Sequence, residues 1–112
     1  MTAYSFGDVV LVPFPFADTT ETKKRPAVVI SSDRYHEAHL DLLLMAITGN
    51  PEAQSEGLGF PIEGWRQAGL LNPSAVKPVI ATVHPSRVIR TLGRLRGEDL
   101  DRLHRLLRDI VG

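Results

Sequence analysis

The pattern of this 112-residue chain predicts a mainly β domain, a small barrel or curled sheet with helices on its outside. Three observations carry that prediction. Short apolar runs rich in Val, Ile and Leu recur along the chain, punctuated by Pro, Gly, Asn and Asp. The run over residues 87–95 alternates polar and apolar residues, as a strand with one wet face does. A helical apolar stripe is sustained only in the C-terminal segment.

The first strand is read over residues 8–16, apolar and bounded by Pro13 and Pro15. A loop of small polar residues, 17–22, follows, and after the cations Lys23, Lys24 and Arg25 a second strand runs over 26–31. Ser31, Ser32 and Asp33 offer capping chemistry to a short helix over 34–38. Residues 42–48 read as a buried strand, although Leu-Leu-Leu-Met suits a helix equally, and Gly49-Asn50-Pro51 stops it. A long exposed loop is expected over 52–59 and a short edge strand over 60–62, since Pro61 cannot donate into a central ladder. Residues 64–69 read as one helical turn closed by Gly69, and 74–83 and 87–95 as two further strands. The terminal helix is placed over 98–111, with Leu100, Leu103, Leu107, Ile110 and Val111 as its apolar stripe. Acids crowd its first turn and Arg105 and Arg108 lie toward its end, in line with the helix dipole.

Composition sets bounds on function. The length fits one domain, 1–112, and 43% apolar with 23% charged residues is ordinary for a globular protein. Thirteen basic and thirteen acidic residues cancel, so attraction to nucleic acid would have to come from a local patch. The chain has no Cys, hence no disulfide and no thiolate chemistry. With no signal-peptide pattern and no apolar run near the ~20 residues that span a bilayer, a soluble cytoplasmic protein without a membrane partner is expected.

The stretch most able to carry function is the polar loop between the first two strands, with its three consecutive cations. Lys23 and Lys24 are either phosphate binders or ordinary solvated charges. Asp18, Thr19 and Thr20 either contact bases and sugar hydroxyls or, for Asp18, brace the turn. Phe16 either stacks on a base or packs in the core. His36, His39 and Asp41 lack a third well-spaced ligand, so no metal and no cofactor is expected. His84 before Pro85 reads as a turn residue and as the histidine to test as a proton carrier. His104 reads as a boundary residue of the last helix, and Trp65 as an apolar anchor rather than a ligand platform.

Four segments, 7–16, 24–31, 69–74 and 89–95, make the chain resemble the MazF/PemK toxins of bacterial type II toxin–antitoxin systems. The opening strand together with the Arg25-Pro26 strand is the most specific part of that likeness. The resemblance implies an SH3-like β-barrel, the fold shared with CcdB, with a C-terminal helix. It implies a homodimer that cleaves single-stranded RNA without a metal, leaving a 2′,3′-cyclic phosphate and a 5′-hydroxyl. It further implies neutralisation by a cognate antitoxin, with operator DNA bound through the toxin–antitoxin complex. The family's catalytic Arg at the start of the second strand falls on Arg25, and its Ser or Thr at the end of the third falls on Thr48.

The chemistry suits those residue types. Attack on phosphorus gathers negative charge on the non-bridging oxygens, and a guanidinium matches it with two parallel donors. A hydroxyl at Thr48 can donate to a phosphate oxygen or hold the attacking group in line, or can simply satisfy a backbone group at the strand's end. Two other classes compete with the nuclease. One is a non-enzymatic CcdB-like gyrase poison, which would need neither Arg25 nor Thr48. The other is a nucleic-acid-binding co-repressor acting with its antitoxin. The cationic loop exit favours the nuclease.

Overall fold

Alternating apolar residues dictate strands with two buried faces, and a computed structural model, which describes residues 4–15, 23–50 and 58–112, has that arrangement. The elements are β1 (Asp8–Pro13), β2 (Lys24–Val29), α1 (Asp33–Ala38), β3 (Leu42–Thr48), β4 (Phe60–Pro61), β5 (Ala75–Val83), β6 (Arg90–Arg94) and α2 (Gly97–Val111). Six strands form one antiparallel, curled sheet in the order β4-β5-β3-β2-β1-β6. β3 occupies the span expected of it, and β4 is an edge strand, as its Pro61 requires.

The two faces are covered differently. Val9, Val28, Met45, Ile47 and Val76 share one face with Phe60, Ile62 and the helix residues Leu103 and Leu106. Val10, Val12, Ala27, Val29, Leu44 and Ala46 share the other with Phe14, Leu42 and Val83. Over this second face the chain returns from β5 to β6. Val88 packs on it and the Ile89 N–H donates to the Leu11 carbonyl at 2.8 Å.

That return path corrects the expected strand over 87–95. Residues 85–87 form a 3₁₀ turn, with Pro85 in its first turn and His84 as its N-cap, so the strand begins only at Arg90. β1 ends at Pro13, short of residue 16, and Phe14 is buried just beyond it. β2 begins earlier than expected, at Lys24, so Lys24 and Arg25 lie inside the ladder rather than at a loop exit. The apolar stripe of α2 is also corrected. Leu106 is buried while Val111 is 73% exposed, because the helix's last turn runs past the sheet. Of the expected loop over 52–59, residues 52–57 lie outside the described residues.

One clamp ties α2 to the sheet. Asp99, buried in the helix's first turn, accepts from the Glu63 N–H at 3.0 Å and the Gly64 N–H at 2.8 Å. It thereby anchors the turn over 63–69, where the Ala68 N–H donates back to the Gly64 carbonyl at 2.9 Å. Gly69 closes that turn at φ 81°, with its Cα against the Leu92 backbone of β6, where a side chain would clash.

Candidate functional site

The β1–β2 register pairs Val12 with Arg25 and Pro13 with Lys24, so both cations sit on the ladder. The β2–β3 register runs through Val29↔Leu44, Val28↔Met45 and Ala27↔Ala46. The ladder stops at Ala27↔Ala46; its register, continued two residues along each strand, runs toward Arg25 on β2 and Thr48 on β3. By strand alternation both take the face of Ala27, Ala46 and Val12. Arg25 is exposed and Thr48 half-buried, so the pair lies at the open end of the sheet.

Thr48 ends β3 and pairs with Ala75. Its Oγ1 accepts from the Asn50 N–H at 3.1 Å, which turns the chain at Gly49 and fixes the hydroxyl. Accepting one hydrogen bond leaves the O–H able to donate to a bound group. Lys23 and Lys24 are exposed beside Arg25, and the Phe14 N–H donates to the Lys23 carbonyl at 3.4 Å where the hairpin opens. Three guanidinium- or ammonium-bearing positions and a fixed hydroxyl at one strand end can hold a phosphodiester. Phe16, Asp18, Thr19 and Thr20 lie outside the described residues.

A family model described as PemK-like, MazF-like toxin of type II toxin–antitoxin system matches residues 5–111. The chain belongs to this toxin family. A solved structure described as an endoribonuclease in complex with its cognate antitoxin, from Mycobacterial species, has a similar fold at a TM-score of 0.73 and 13% identity, covering 100% of this chain and 96% of that one. Among curated proteins none matches the chain.

The toxin's histidines are held in other work. His84 Nδ1 accepts from the Ser86 N–H at 3.1 Å and caps the 3₁₀ turn. It follows Val83, whose partner Leu42 is at the opposite end of β3 from Thr48, so the register does not bring it beside Arg25. His36 is buried, with Nε2 2.6 Å from Ser31 Oγ, and His39 stacks on Tyr35 at 4.7 Å. Among the described residues no three His, Asp or Glu side chains are grouped to hold a metal ion. His104, midway along α2 and exposed beside its apolar stripe, stacks on Phe6 at 4.3 Å. Trp65 is half-buried against the α2-side core and carries the Arg66 guanidinium 4.8 Å from its ring, which fits an anchor.

Sequence reasoning missed a second feature at this end of the sheet. A cavity of about 320 Å³ lies against Pro26 and Gly49, the residues that directly follow Arg25 and Thr48. Leu11, Leu71 and Leu92 supply apolar wall, and Asn72 and Arg90 supply polar groups. The segment 69–74 carries the family likeness, yet nothing in its composition revealed that β6 would fold back to meet it. No helix of the described residues is long and apolar enough to cross a membrane.

Proposed function

We propose that the toxin is an endoribonuclease that cuts single-stranded RNA at the Arg25–Thr48 end of its sheet. The observation that carries this reading is the β2–β3 register, which, continued two residues past Ala27↔Ala46, points toward a guanidinium and a hydroxyl at one exposed strand end in a chain of this family. The 2′-oxygen attacks the adjacent phosphorus and its proton leaves. The phosphorus–5′-oxygen bond breaks, and the 5′-oxygen takes up a proton. The products are a 2′,3′-cyclic phosphate and a 5′-hydroxyl.

Arg25 stabilises the charge that develops on the non-bridging oxygens. Thr48 donates to one of those oxygens or keeps the 2′-hydroxyl in line. Neither is a proton acceptor, so the proton passes to another group or to solvent. The solved endoribonuclease of similar fold, bound to its antitoxin, supports the reading and supports an antitoxin partner here. An acidic antitoxin segment over Lys23, Lys24 and Arg25 would compete with RNA for the same charges. By family likeness the working unit is a cytoplasmic homodimer of one toxin domain per chain, and operator DNA is bound by the toxin–antitoxin complex.

The test is incubation of purified protein with a long single-stranded RNA in EDTA, followed by mapping of the cut ends. Cleavage with 5′-hydroxyl ends is expected. Intact RNA, or cleavage that needs an added divalent ion, would reject the reading.

A further inference from the structure

The cavity beside the candidate site lies on the other face of the sheet from Arg25 and Thr48. Pro26 and Gly49, one residue beyond that pair, line it, and by alternation Pro26 takes the face of Val28. Its size, about 320 Å³, is at the lower end for sites that take a small organic group. Arg90 is its one charged lining residue among the described residues, and none of their carboxylates lines it. Among the described residues Arg90 enters no salt bridge. Leu71 stands at the rim 91% exposed, an apolar surface that gains from being covered.

The wall is built to stay in place. The Ser74 hydroxyl donates to the Asn72 carbonyl at 2.8 Å and fixes the turn that presents the Asn72 amide. Gly69 and Gly93 bring the 63–69 turn and β6 so close that a Cβ on either would clash with the other's backbone. Asp99 holds the start of that turn from α2.

We propose that this cavity receives one unstacked base of the RNA, next to the phosphate held between Arg25 and Thr48, and that Arg90 and Asn72 set the base preference of the cut. This rests on the RNA-cutting reading and extends it to specificity. A strand passing over the ends of β2 and β3 places its reacting phosphate on one face and a neighbouring base on the other. Single-stranded RNA is read by stacking bases on guanidinium planes and bonding their exposed edges, and Arg90 and Asn72 are the groups for it. An amide offers a donor and an acceptor side by side, as a base edge requires. Exposed Lys24, Arg25 and Arg90 at one strand end complement a polyanion.

The experiment compares wild type with Asn72→Ala, Arg90→Ala and Arg90→Lys on one long RNA, mapping every cut. It then places an abasic nucleotide at each position flanking a mapped cut in short oligonucleotides. All three variants are expected to cut, with preference at one flanking position relaxed about tenfold or more. Arg90→Lys keeps the charge but not the plane, so it should lose preference as Arg90→Ala does. The abasic nucleotide at that position should slow wild type by a similar factor and leave Arg90→Ala unaffected. Arg25→Ala should instead slow every site alike. Variants that keep wild-type preference and rate while wild type cuts RNA would overturn this inference alone. So would variants that change only antitoxin affinity or oligomeric state, which would give the cavity to a protein partner. A wild type that cuts no RNA would overturn both the inference and the reading beneath it.

Discussion

At the end of β3 that begins with Leu42, Ser31 and His36 are buried together and Ser31 is bonded on both sides, while among the described residues His36 Nδ1 is left without a partner. Ser31, 2% exposed, accepts from the Leu43 N–H at 3.1 Å and lies 2.6 Å from His36 Nε2, while Ser32 caps α1. At the other end of the same strand the ladder with β2 stops at Ala27↔Ala46, and the cations and the Thr48 hydroxyl that lie beyond it reach solvent. Both ends hold Ser or Thr beside a basic residue, so residue type alone does not separate them. Burial does. A polar group sealed inside contributes to stability through its partners, whereas one at an exposed strand end can also be reached by a ligand.

Five variants would break or sharpen that contrast. Arg25→Ala should slow RNA cleavage about 10²–10³-fold, measured on a mapped site, while the urea midpoint stays put because the residue builds no core. Thr48→Ala should cost about 1.5–3 kcal/mol of transition-state stabilisation, the size of a hydrogen bond to a charged group, and Thr48→Ser should keep most of the rate. Equal rates for the Ala and Ser variants would make Thr48 a strand-end residue only, consistent with its bond to Asn50.

The opposite end should respond in the opposite sense. Ser31→Ala strands the Leu43 N–H and His36 Nε2, which should lower unfolding free energy by about 1–3 kcal/mol in urea titration without changing cleavage per folded molecule. The smallest effect is expected of Lys23→Ala/Lys24→Ala, which should weaken antitoxin affinity modestly and flatten its salt dependence. Screening acts over roughly 8–10 Å near physiological ionic strength, so exposed charges lose most of their pull as salt rises. Equal salt slopes for the variant and wild type would move the antitoxin away from this end.

Much of this was legible in the chain. β3 stands out because seven successive residues, Leu42–Thr48, are apolar up to a closing Thr, and Gly49-Asn50 ends the run. The terminal helix was visible from its stripe and acidic first turn, and Arg25 from its place before Pro26. What stayed hidden depends on register and on packing between distant segments. Nothing local tells that β2 pairs β3 up to Ala27↔Ala46, so that the same register continues toward Arg25 and Thr48. The start of β6 was misread because Arg87, Val88 and Ile89 have strand composition, yet Pro85 and the His84 cap hold the first of them in a 3₁₀ turn. Asp99 read as a dipole partner, but it is a buried clamp whose two acceptors are used 35 and 36 residues away in the chain. The Asn72–Arg90 cavity is likewise a product of β6 meeting the 63–69 turn.

In the proposed reaction RNA is cut by its own 2′-hydroxyl at the Arg25–Thr48 end. The direct measurement uses a short RNA carrying one mapped cut site and its twin with a single 2′-deoxynucleotide on the 5′ side of the scissile bond. Wild type should cut the first, leaving a 2′,3′-cyclic phosphate, and leave that bond intact in the second, though it binds both. Cleavage of the deoxy twin at the same bond and at a comparable rate would contradict the account, because the attacking oxygen would then come from elsewhere.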